Sequence, residues 1–205
     1  MRKNTRALLL YIQIAALAFA SVFSVAFPQN TSAALLTSRK ATISTSAPSA
    51  TDVEFIFSYT LPNTTSTKAC IIYEFCTSPL GTCNALGWTL SGATQDSQTA
   101  WPNNATNFAK VTGGADVGDC NFNSAPTTEI CFSRDETVAT GVTGGAVTHT
   151  ISGINFNSTI QTGYIRISIY SDNDFQTADL LDQGVVAVAV VRQLVTYGRV
   201  QERLE

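Results

Sequence analysis

The chain is poor in the residues that carry out chemistry. It has a single histidine, His149, and charged side chains make up only 13% of its 205 residues. Catalysis by a nucleophile or a general acid–base pair usually relies on histidine, or on two carboxylates held close in a pocket. Here the histidine stands between Thr148 and Thr150, and no Gly-x-Ser-x-Gly elbow occurs. On an alternating strand with such neighbours it is expected to face solvent. No Cys-x-x-Cys pair exists, which removes the usual zinc spacing. The double glycines Gly113-Gly114 and Gly144-Gly145 lack a following Gly-Lys-Ser/Thr, so they read as turns and not as phosphate loops. After residue 34 there is no amphipathic helix and no second run long enough to cross a bilayer. These absences leave a protein expected to be no enzyme, with no cofactor.

The first 34 residues differ from the rest. Arg2, Lys3 and Arg6 precede an almost wholly apolar stretch, Ala7 to Phe27, which Pro28 ends before the small residues Thr31-Ser32-Ala33-Ala34. This is the layout of a secretory signal helix, with cleavage expected after Ala33 or Ala34 and Ala20 or Ala26 as further positions. The alternative is an uncleaved anchor, since the apolar run just spans a bilayer. Residues 35–200 are sized for one domain, and 201–205 reads as a tail or the start of a further segment. Beyond residue 34 there are nine basic against fifteen acidic side chains, a net charge of −6. With no basic cluster, nucleic acid is not an expected partner, and membrane contact is expected only through the N-terminal segment if it stays uncleaved.

All five cysteines, 70, 76, 83, 120 and 131, lie in this later part. Pairing is the default outside the cytoplasm. The expected bridges are Cys76–Cys83 and Cys120–Cys131, each closing a short loop. Cys70 is left over, either as a buried thiol or as a covalent link to another chain.

Periodicity points to strands. In 52–60, Val53, Phe55, Phe57 and Tyr59 share one face. In 68–76, Ala69, Ile71, Tyr73 and Phe75 oppose Cys70, Ile72, Glu74 and Cys76. Residues 127–133 place Ile130 and Phe132 inward, 146–154 alternate, and 163–170 set Ile165, Ile167 and Ile169 against Tyr164, Arg166, Ser168 and Tyr170. The β-branched run 184–191 reads as a covered strand. Shorter strands are expected at 41–46, 87–90 and 107–112, with a last one at 194–200 and a polar loop at 171–183. Seven to nine strands with turns every ten or so residues predict an all-β fold, an antiparallel β-sandwich of immunoglobulin-like type.

The runs LTSRKATISTS, KACIIYEFCTSPLGTC, GYIRISIYSD and GVVAVAVV resemble a group of secreted surface proteins from small-genome candidate-phylum bacteria. The resemblance implies an extracellular sandwich domain, often followed by others, with no activity and no catalytic residue to transfer.

Three further features invite function. Trp88 and Trp101 fall in the irregular 77–126 stretch; they either plug the end of the sandwich or form an aromatic platform for glycan or protein. Asp172, Asn173, Asp174, Asp179 and Asp182 lie within eleven residues. Oxygen-rich loops hold calcium, with Asp172, Asp174 and Asp179 as the candidate ligands, but EF-hand spacing is missing and a loop of Asx turns fits equally. Asn63, Asn104 and Asn157 open Asn-x-Ser/Thr triplets. The expectation is a secreted, non-enzymatic surface protein that associates with copies of itself or other surface proteins. The alternative is an extracellular module binding glycan or protein through the 84–126 loops.

Overall fold

In a computed structural model, which describes residues 34–62, 68–99, 108–111, 128–134, 144–172 and 179–192, the alternating stretches form strands. They are β1 (Ala34–Leu35), β2 (Thr37–Ile43), β3 (Val53–Leu61), β4 (Cys70–Cys76), β5 (Thr94–Thr99), β6 (Ala109–Lys110), β7 (Glu129–Ser133), β8 (Gly145–Ile154), β9 (Gln161–Tyr170) and β10 (Leu180–Val190). The expected signal segment, the 194–200 strand and the 201–205 tail lie outside the described residues.

Two sheets form, one in the order β1-β10-β9-β4-β7-β6 and one in the order β2-β3-β8-β5. Every pairing is antiparallel except β1 with β10, which is parallel. The four-stranded sheet has the A-B-E-D order of an immunoglobulin domain, and β10-β9-β4 supply G-F-C. The fold is therefore an immunoglobulin-like β-sandwich. One departure is that β5, in the place of D, comes before β6 and β7, which extend the other sheet beside β4.

The core lies where two alternating faces meet. On β3, Val53, Phe55, Phe57, Tyr59 and Leu61 all point inward. They meet Ile71, Tyr73 and Phe75 of β4 and the three isoleucines of β9. β4 is covered on its other face too, where Cys70 and Ile72 pack with Ala69, Cys131 and Tyr170. That double cover, and pairing to β7 and β9 along its length, make β4 the centre of its sheet.

Some boundaries differ from expectation. The first long strand runs at 37–43 and not at 41–46. The strand expected at 87–90 is reduced to a single bridge, Thr89 to Asn155. β10 begins at Leu180, so the polar loop is shorter than expected. The polar strand β5, TQDSQT, was not expected at all, since it has no apolar alternation; its pairing with β8 makes it a strand. Where β8 ends, Gly153 has φ +80°, and a Cβ there would sit 2.2 Å from the Gly92 carbonyl oxygen. Only glycine allows the turn at Ser91–Gly92 to close this tightly on β8.

Candidate functional site

Trp88 is not on a binding platform. Its ring is 4% exposed and lies against Phe156 (centroids 4.5 Å apart), Phe55 and Phe75. Gly163 makes the seat, since a Cβ there would come within 2.9 Å of the indole Cη2. This aromatic cluster at the end of β3 and β4 leaves almost none of the indole for a ligand, so the platform reading is corrected for Trp88. Trp101 lies outside the described residues, as do Asn63 and Asn104. Asn157 ties down its own turn: its Nδ2 donates to the Leu86 carbonyl, and its Oδ1 accepts from the Thr159 amide and from Gln161 Nε2.

Cys76 and Cys83 are joined, closing the Thr-Ser-Pro-Leu-Gly-Thr turn. Cys131 is a half-cystine, and Cys120, its expected partner, lies outside the described residues. Cys70 keeps its thiol, which is buried beneath the outer face of β4. A covalent link from Cys70 to another chain would require that face to open, so that expectation is corrected. Glu74 comes together with Cys76 and Cys83, but both sulfurs are spent on each other and offer no thiolate to a metal. A Cys76→Ala/Cys83→Ala double variant frees the seven-residue separation in the unfolded chain. It is expected to lower stability by about 2 kcal/mol in a urea titration without changing the fold.

His149 is the largest correction. It is fully buried, on the same parity of β8 as Val147 and Ile151. Its Nδ1 lies 2.8 Å from the Tyr73 hydroxyl, which in turn lies 3.2 Å from the Tyr59 hydroxyl. The row runs from β8 to β4 to β3, so it crosses between the two sheets twice. Phe132 meets the imidazole edge to face at 4.7 Å. Its Nε2 has no hydrogen-bond partner among the described residues. Burial holds the imidazole down to a pKa of about 3 from its ordinary 6.5. Burial also pushes the Tyr59 and Tyr73 hydroxyls up, so all three groups are neutral across the physiological range. A histidine this acidic, with no path to solvent, is a poor base for any dissolved substrate. Its work is to join the sheets.

Nearby, Lys68 and Asp182 form an ion pair of 2.8 Å at 0% and 1% side-chain exposure. Arg134 Nε donates to the Lys68 carbonyl and lays its guanidinium over Phe108. Asp182 therefore belongs to the interior, not to an aspartate-rich loop. Of the other calcium candidates, Asp174 lies outside the described residues, and the main-chain carbonyl of Asp179 accepts from Ser171. Asp172 sits at the start of the same turn.

The outer face of the six-stranded sheet bears an open groove of about 380 Å³. Arg166, Glu74 and Ser168 form its floor; Leu80, at the tip of the disulfide-closed turn, and Leu35 form its apolar walls. Arg166 donates to the Ser78 carbonyl at 3.1 Å, which fixes the turn to the sheet. Sequence reading missed this groove because its walls come from residues far apart in the chain.

No family model and no curated protein matches the chain. Two solved structures are similar to it. The crystal structure of BslA, described as a bacterial hydrophobin, has 8% identity and a TM-score of 0.40, covering 78% of this chain and 98% of its own. An uncharacterised protein from Nocardia farcinica, described as having an immunoglobulin-like fold, has 12% identity and a TM-score of 0.35, covering 82% of this chain and 91% of its own.

Proposed function

We propose that the chain is an exported, non-enzymatic β-sandwich of the cell surface, whose role is to present and pack a rigid domain. The oxidised Cys76–Cys83 turn carries this reading. Disulfides persist in oxidising compartments and are rare in the cytosol, and Cys131 is oxidised as well. The positively charged, apolar head of the sequence supplies the route. The buried polar groups agree, since His149, the two tyrosines and the Lys68–Asp182 pair are consumed in joining strands.

The test is to express the full chain in a bacterial host, fractionate the cells and count thiols in denaturant. The expected result is an extracytoplasmic chain beginning at Ala34 or Leu35. One thiol should react before reduction and all five after it. A full-length chain in the cytosol, or five reactive thiols without reductant, overturns the proposal.

A further inference from the structure

Lys68 and Asp182 are the two most deeply buried charged side chains among the described residues, and they stand 114 positions apart. Both main chains are held in place by their neighbours. The Lys68 carbonyl accepts from Arg134 Nε. The next residue, Ala69, donates its amide to the Tyr170 carbonyl and accepts at its own carbonyl from the Arg134 amide. Asp182 lies in β10, set against Ile169 of β9 on one side and Ala34 of β1 on the other. Its side chain shares the inward parity of Gly184, Val186 and Val188. Two fixed stretches of backbone thus bring Nζ to 2.8 Å from Oδ2.

In water an ammonium and a carboxylate do not condense, because both ions are well hydrated and the water released is a trace beside the solvent. Burial weakens both reasons. Neither ion keeps its hydration at 0% and 1% exposure, and an enclosed pair of this kind gains little stability as ions. Passing one proton from Nζ to the carboxylate leaves a neutral amine, which is a nucleophile, against a carboxylic acid. The carboxyl carbon is one bond beyond Oδ2, so the nitrogen stands close to the range of about 3–3.5 Å at which attack begins. Fixed pairs react as if at concentrations of about 10⁵–10⁸ M, which favours joining over separation. The Asp182 charge also acts on the Tyr59 hydroxyl, which places a neutral O–H donor within electrostatic reach of the carboxyl where charge develops.

We infer that Lys68 and Asp182 condense after folding into an intramolecular amide, which ties β10 covalently to the start of β4. The bond that forms is Nζ–Cγ, and the bond that breaks is one carbon–oxygen bond of the carboxylate. The oxygen leaves as water with two of the three ammonium hydrogens, and the third stays on the amide nitrogen. One positive and one negative charge disappear together, so no oxidant, reductant or other reactant is needed. The product removes two ions from the interior and closes the 114-position separation with a bond that reductant does not open. The reaction follows folding, because the two groups meet only once β10 has joined the sheet. The freshly folded chain carries the ion pair and is the reference for that pair's energetics. The inference does not depend on where the chain resides.

The test is intact mass spectrometry of the full chain, folded, held at neutral pH for several days, then reduced and denatured so that disulfides do not contribute. The expected mass is one water below that of the sequence. A tryptic digest should contain the peptide of Lys68 joined to the peptide of Asp182, with no cleavage after Lys68. The same chain held in urea should keep its full mass, because the two groups are then no longer neighbours. Lys68→Arg keeps a cation beside Asp182, but its guanidinium stays protonated and does not attack, so this variant should also keep its full mass. A folded parent that retains its full mass overturns the inference. So does a water lost without joined peptides, which marks a cyclic imide at an Asp or Asn instead. Equal loss in urea, or in Lys68→Arg, overturns it as well.

Discussion

Asp182→Leu is expected to destabilise the domain by about 3–5 kcal/mol, because it removes the carboxylate that lies 2.8 Å from the buried Lys68 ammonium. Lys68→Met should cost a similar amount by stranding the carboxylate. The two changes together should cost far less than their sum, and the double variant should come within about 1–2 kcal/mol of the parent. Each partner loses its hydration whether or not the other is present, and at 2.8 Å their attraction roughly offsets that loss. Replacing both by apolar groups removes the cost along with the gain. Guanidinium titrations at neutral pH on the four members of this cycle measure it. Single variants that cost under about 1 kcal/mol would mean that water reaches the pair.

The second large effect is acid lability through His149. In the unfolded chain its imidazole takes up a proton near pH 6.5, whereas in the fold it resists protonation to about pH 3. Between these values the unfolded state binds more protons than the folded one, so stability falls as pH falls through that window and is complete above it. Across the whole window the loss is on the order of 4 kcal/mol. His149→Phe supplies the control. The Tyr73 hydroxyl keeps its bond to Tyr59, and the phenyl ring suits a pocket already walled by Phe132 and Phe108. The variant should differ little from the parent at pH 7 and become the more stable of the two as pH drops from 6.5 to about 4. Parallel urea midpoints over that range would show that His149 is not the responsible group.

How much of this was legible in the chain depended on where each signal lay. β3, β4 and β9 could be read directly, because a strand with one covered face writes its own period into the sequence. β5 could not, since TQDSQT is made a strand by its neighbour and not by its own side chains. His149 was legible in principle. Val147 and Ile151, two residues to either side, mark its inward parity, but the flanking threonines suggested exposure. Trp88 and its seat at Gly163 are 75 positions apart, and Lys68 and Asp182 are separated by 114. No local pattern reports a partner at that distance. Aspartate composition alone pointed to a metal loop where one member of the set is in fact an interior counter-ion.

The long reach of β1 to β10 bears on how the chain matures. A polypeptide delivered from its N-terminus presents Ala34–Leu35 and Lys68 well before Asp182 and the strand beside it exist. Until then the larger sheet lacks a flank and the lysine lacks its counter-charge, so closure waits for nearly the whole length to emerge.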